Sequence, residues 1–409
     1  MRRTDSDCRA PMARPRRRPE YGAISRALPL MRPLVRPFVR PFVRPVLLAF
    51  VVAFVLAGLL GWPAPAPAAD PPQAAPGATE ATPGTASGHP YGLPGPYGVE
   101  VLDQVWLDGR RQREIPVRIR LPRGAGPFPV VLFSHGLGGS RLGGEQWGEQ
   151  WAGHGLAVIH LQPPGSDESL WRGKPPAERM AGLRSGISAT QFLARIADVR
   201  FVLDELARRQ AAGDAQVRPL DLARVGMSGH SFGASTTLHL AGQRFAPAID
   251  RQVEQLAGRL ADDRLRAFIA FSPQAAGEAL DYQFSQVRAP FLMFTGTLDG
   301  EPLPGIGVPP AQRLLPFEAM APAGNKFLAV FDNADHMLFN GSPGLRDIGA
   351  AGRGTIDAAA VEARVFPAVK AGSTAFWLAY LRQDPQAAGW LRDGGYASQV
   401  GPIGRWQAK

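Results

Sequence analysis

A chain of 409 residues, 45% hydrophobic and 20% charged, can bury the core of one large domain or two ordinary ones, which excludes a fibrous or wholly disordered protein. Its net charge of +10 is concentrated in the first 69 residues, which hold twelve arginines and three acidic residues. The remaining 340 residues carry 33 basic and 32 acidic side chains, and so neutral a body argues against a surface that tracks nucleic-acid phosphates.

In chain order, the Arg-rich start, the apolar run Val46 to Leu60 and the small-residue stretch Ala64 to Ala68 have the three parts of an export signal, with cleavage expected after Ala68. The expected location is therefore periplasmic or secreted. Read on to Trp62 the run is 17 residues long, the short edge of what spans a bilayer, so a membrane tether through Val46 to Trp62 is the alternative. Met31 is a second candidate start. The only cysteine, Cys8, precedes the run, so the processed protein has neither a disulfide nor a thiolate metal site. From Pro63 to Pro96, 24 of 34 residues are Pro, Ala or Gly, a composition that reads as a linker. His89 within it has no assigned role.

Order is expected from Tyr97. Val99 to Leu107 and Glu114 to Leu121 read as two strands joined by the turn residues Asp108-Gly109, an antiparallel hairpin. Short runs that are apolar on both faces follow at 128–133, 156–161, 224–227, 267–271, 290–295 and 326–331. Between the second and third of them, Phe192, Ile196, Val199, Leu203 and Leu206 mark one face of an amphipathic helix. Alternating buried strands and helices imply a mainly parallel sheet covered by helices, with ligand sites at the carboxyl ends of its strands. The expected organisation is a leader over 1–68, a linker over 69–96, a catalytic domain over 97–382 and a tail over 383–409.

Gly229-His230-Ser231-Phe232-Gly233 lies between a strand and a helical stretch, the context of a nucleophile elbow. A serine hydroxyl needs a base, and the base an orienting acid. His336 is the only histidine downstream of His239, which makes it the candidate base. Asp299, after the strand at 290–295, is the favoured acid, with Glu301, Asp332 and Asp335 as rivals; Asp335 would instead cap its own turn. The loop Ser134-His135-Gly136-Leu137-Gly138-Gly139 follows the first core strand, and the backbone N–H groups of Leu137 and Phe232 are the expected oxyanion donors. His135 reads as structural support for that loop, His239 as a packed helix residue, and His154 and His160 as parts of a helix end and a strand. Neither metal-ligand spacing nor a phosphate-binding P-loop is present.

The stretch Phe-Ser-His-Gly-Leu-Gly-Gly-Ser-Arg, taken with Gly-His-Ser-Phe-Gly, resembles the dienelactone-hydrolase and platelet-activating-factor-acetylhydrolase-like branch of α/β-hydrolases. The likeness covers about residues 97 to 382. It implies an α/β-hydrolase fold, a Ser-Asp-His triad, no cofactor, and hydrolysis of carboxylic esters with short acyl or lipid-like groups. The plasma acetylhydrolases place their acid after the sixth strand, where this chain reads Ile269-Ala270-Phe271-Ser272-Pro273, without a carboxylate. An acid at Asp299 instead resembles the placement after the seventh strand, and dienelactone hydrolases proper carry a cysteine where Ser231 stands.

Three insertions could shape the pocket: Pro163 to Gly186 with Trp171 and Met180, Phe245 to Arg266, and Gly300 to Gly324 with Leu303, Ile306 and Val308. In the second, the stripe Ile249, Val253, Leu256 and Leu260 reads as ordinary packing or as a lid. The same constellation would serve an acyltransferase or a peptidase. A binding protein of the cell envelope with this fold and no catalysis is the reading from another class.

Overall fold

The computed structural model describes residues 89–303, 307–342 and 357–409. The leader, the candidate tether and most of the linker lie outside the described residues, as does Ile306.

Nine strands form one sheet: β1 (Val99–Asp108), β2 (Arg113–Pro122), β3 (Phe128–Ser134), β4 (Ala157–Leu161), β5 (Leu220–His230), β6 (Leu265–Phe271), β7 (Phe291–Leu298), β8 (Lys326–Asp335) and β9 (Gly404–Ala408). Their order across the sheet is β1-β2-β4-β3-β5-β6-β7-β8-β9. The central pairs from β4 through β3 to β8 are parallel. The pairs β1–β2, β2–β4 and β8–β9 are antiparallel.

Helices α1 (Glu145–Gly153), α2 (Pro176–Gly186), α3 (Ala189–Ala211), α4 (Phe232–Leu240), α5 (Pro247–Ala257), α6 (Leu280–Phe284), α7 (Leu315–Ala319), α8 (Ala358–Leu381), α9 (Pro385–Arg392) and α10 (Gly395–Val400) complete the described chain. The wholly buried strands explain why the runs are apolar on both faces. On β3, Val130 and Leu132 enter a core shared with α3, α4 and α5, while the alternating Val131 and Phe133 enter a second core shared with α1, α8 and α9. The sheet is thus covered on both sides. Helix α3 starts at Ser188, whose hydroxyl accepts the N–H of Gln191, and buries the stripe Phe192, Ile196, Val199, Leu203 and Leu206.

Two stretches are more structured than their composition suggests. Residues 89–96, counted with the linker, hold a short 3-10 turn (Pro90–Gly92), and His89 stacks on Trp390 at 4.0 Å between ring centres with Tyr91 beside it. Residues beyond Gln383, counted as a tail, supply α9, α10 and β9, and β9 pairs with β8 from Phe327–Ala408 to Phe331–Gly404. In both, a few aromatic contacts provide burial that the polar and Pro-Gly background conceals. The expected stripe divides: Val253 on α5 and Leu260 beyond its end are buried in the core, and Leu256 is 60% exposed. Val253 and Leu260 therefore pack against the body, the first of the two readings.

Among the described residues no helix is long and apolar enough to cross a membrane.

Candidate active site

Ser231 stands between the last residue of β5 and the first of α4, with φ 54° and ψ −112°. A side chain at positive φ is strained and persists only where its surroundings hold it. Here the Ser231 N–H is bonded to Phe271 O on β6 at 3.0 Å and its carbonyl accepts the Ser235 N–H of α4 at 3.0 Å. The glycines two residues either side are required by space. A Cβ on Gly233 would lie 1.8 Å from Ser134 O, and one on Gly229 would lie 2.4 Å from the Gly233 backbone. Ser231 is partly exposed, and its hydroxyl forms no hydrogen bond among the described residues.

Across the sheet, β7 and β8 bring Asp299 and His336 together. Asp299 Oδ1 lies 2.7 Å from His336 Nδ1, and Oδ2 accepts the Thr295 hydroxyl at 2.7 Å. Asp299 is fully buried. Burial alone would raise its carboxyl, but the Arg313 guanidinium, the His336 contact and the Thr295 hydroxyl together hold it down at about 2. An ionised carboxylate at this distance takes the Nδ1–H of the imidazole, which leaves Nε2 as the basic nitrogen. His230, the residue before the serine, ties the two halves together: its Nε2 donates to His336 O at 2.9 Å, and the two rings stand 4.7 Å apart.

The rivals for the acid have other partners or are exposed. Asp335 Oδ1 accepts the Leu338 N–H at 2.9 Å, capping its own turn. Asp332 is exposed. Glu301 lies 3.7 Å from Arg313.

The loop after β3 passes beside the serine, since a Cβ on Gly136 would sit 3.4 Å from Ser231 Cβ. The N–H groups of Leu137 and Phe232 have no acceptor among the described residues. By contrast, the Gly138 N–H donates to Ser166 O at 2.9 Å and the Gly139 N–H to Gly136 O at 3.1 Å. Trp171 of the first insertion steadies the loop by donating its indole N–H to Gly138 O at 2.7 Å. His135 is fully buried, 2.6 Å from Gly136 O through Nδ1, and burial depresses its imidazole to about 3. Held neutral, it supports the loop. His239 packs between Phe192 and Phe245 at 4.8 and 4.6 Å.

Two of the buried arginines, Arg195 and Arg313, contact residues of the site and carry no motif. Arg195 on α3 donates to Ser134 Oγ at 2.7 Å, Ser166 Oγ at 2.8 Å and Thr236 Oγ1 at 3.3 Å, and also contacts His135 O. Its guanidinium lies 4.8 Å from the centre of the Phe232 ring. Burial pulls it down to about 9, so it remains charged at neutral pH. The helical stripe could have revealed it, because position 195 falls three residues after Phe192 and four before Val199. Arg313 lies in the third insertion and is equally buried; only its flanking Leu314 and Leu315 hint at this.

Among the described residues, no group of three His, Cys, Asp or Glu side chains is placed to hold a metal ion. Comparison with known proteins finds no family model that matches the chain and no curated protein that matches it.

Proposed function

We propose that this chain is a serine hydrolase acting on carboxylic esters with short acyl or lipid-like groups, built on an α/β-hydrolase fold and needing no cofactor. The observation that carries the reading is the Asp299–His336 contact of 2.7 Å at the carboxyl ends of two neighbouring parallel strands. His336 also contacts His230, the last residue of β5, and the next residue is a serine in a strained strand-to-helix turn. His336, oriented by Asp299, takes the Ser231 proton as the hydroxyl attacks the ester carbonyl. The N–H groups of Leu137 and Phe232 receive the oxyanion, the alcohol leaves with the proton, and water activated by His336 then releases the acid.

The test is turnover of p-nitrophenyl acetate and butyrate together with labelling by a fluorophosphonate. We expect Ser231→Ala to abolish both, and undiminished turnover in that variant would sink the assignment. Labelling that depends on Ser231 would also exclude a catalytically inert binding protein. For the leader we propose export to the periplasm or beyond, checked by finding the chain outside the cytoplasm and shortened to begin near Ala69.

A further inference from the structure

The acid and base are joined by a third group that the mechanism above does not use. Arg313 is fully buried, and its guanidinium reaches three strand ends. Nε donates to Asp299 O at 3.1 Å and lies 3.3 Å from Asp299 Oδ1, after β7. Nη1 donates to Ser272 O at 3.1 Å and Gln274 Oε1 at 2.9 Å, after β6. Nη2 stands 3.1 Å from His336 Nδ1, after β8. Because the Nδ1 proton goes to Asp299 over the shorter contact, Nη2 is there an electrostatic neighbour of the ring and not its donor. Glu301 Oε2, 3.7 Å away, is the second carboxylate on the same guanidinium.

We propose that Arg313 is a positioning residue that sets the pH range in which the Ser231–His336–Asp299 triad works, with Glu301 as its counterweight. The inference rests on the serine-hydrolase reading. A triad base must be neutral to accept the serine proton, and charges packed against it bias that state. The groups facing the imidazole are Asp299, Arg313, His230 and, through Arg313, Glu301. His230 is held well below the ordinary histidine range by burial and by His336, and adds no charge near neutral pH. Asp335, the neighbouring residue, is turned to its own cap. With His336 neutral, the remaining three side chains carry one net negative charge. Removing Arg313 makes that two, which favours imidazolium. Removing Glu301 makes it none, which disfavours it. A purely structural role for Arg313 would lower activity without giving these two changes opposite signs.

The experiment is the pH profile of kcat/KM for p-nitrophenyl butyrate from pH 4 to 9, with intact protein. In Arg313→Gln the acid limb is expected to move up by about one unit, the scale of a charge within ~4–6 Å. Arg313→Lys, which keeps the charge, should leave the limb near its original position even if kcat falls. In Glu301→Gln the limb should move down, by about half a unit given the longer contact and its partial exposure. Limbs that stay in place, or that move in the same direction in both glutamine variants, overturn the proposal. Should Arg313→Gln fail to fold, Glu301→Gln decides alone, and absence of a downward shift overturns it. Ser231-dependent turnover with unmoved limbs would refute only the role of Arg313, whereas turnover surviving in Ser231→Ala would refute the hydrolase reading itself.

Discussion

The two halves of the candidate site are built from different materials. On the side of β7 and β8 the positions are set by charge: the buried Asp299, His336 and Arg313 and the partly exposed Glu301 form one ionic group. On the side of β3 and β5 they are set by backbone: glycines without room for a Cβ, peptide N–H donors, and a buried arginine bonded to hydroxyls and a carbonyl. In sheet order, Ser231 follows β5, the strand of the backbone side nearer the ionic side, with only β6 between them. A proton-transferring group needs neighbours that bias its charge, whereas an oxyanion pocket needs donors fixed in place before the charge arrives.

The sharpest break would come on the ionic side. Asp299→Asn should cut kcat by ~10⁴-fold by favouring the wrong imidazole tautomer, seen in steady-state turnover. An unchanged rate would move the acid elsewhere. On the backbone side, Arg195→Met should lower kcat by about 10²-fold, the scale of losing one oxyanion donor, while KM changes little. An equal rise in KM would mean that Arg195 shapes the ground-state pocket instead. Gly233→Ala should cost more than about 3 kcal/mol in urea unfolding, because the new Cβ meets the backbone of Ser134 and not a movable side chain.

The smallest effect is thermodynamic and again separates the halves. The Asp299 carboxyl is held at about 2 in the folded protein, below its ordinary value near ~3.9. It therefore contributes stability that is fully present above that ordinary value and is lost as pH falls toward 2, about 2–3 kcal/mol in all. The stability gap between the protein and Asp299→Asn should be widest near pH 6 and close by about pH 2. Gly233→Ala, whose added Cβ meets only backbone, should show no such dependence in that window.

This division also decides what could be read without coordinates. The backbone half announces itself in Gly229-His230-Ser231-Phe232-Gly233 and in the loop at 134–139, because steric demands restrict those positions to particular residues. The buried strands were legible from apolar runs for the same reason. Asp299 and His336 could be reached by order along the chain, but Arg313 could not. A buried arginine has the same letter as a surface one, and it stands in an insertion whose apolar neighbours suggested only pocket walls. Strand β9 escaped notice because Gly404 to Ala408 is a half-exposed edge with no continuous apolar run. The turn at Pro90–Gly92 was hidden by the Pro-Gly composition that usually signals an unfolded stretch.

The positive φ of Ser231 has a consequence for how the protein is handled. A conformation that costs about 1–3 kcal/mol for a residue with a Cβ costs a glycine almost nothing. Ser231→Gly would therefore give up the proposed nucleophile for a sturdier fold, with a raised unfolding midpoint and, on the proposed function, no turnover. Ser231→Ala keeps the Cβ and the strain, so it is the variant whose stability can be compared with the parent, and the difference between the two substitutions measures how much stability the strained turn withholds.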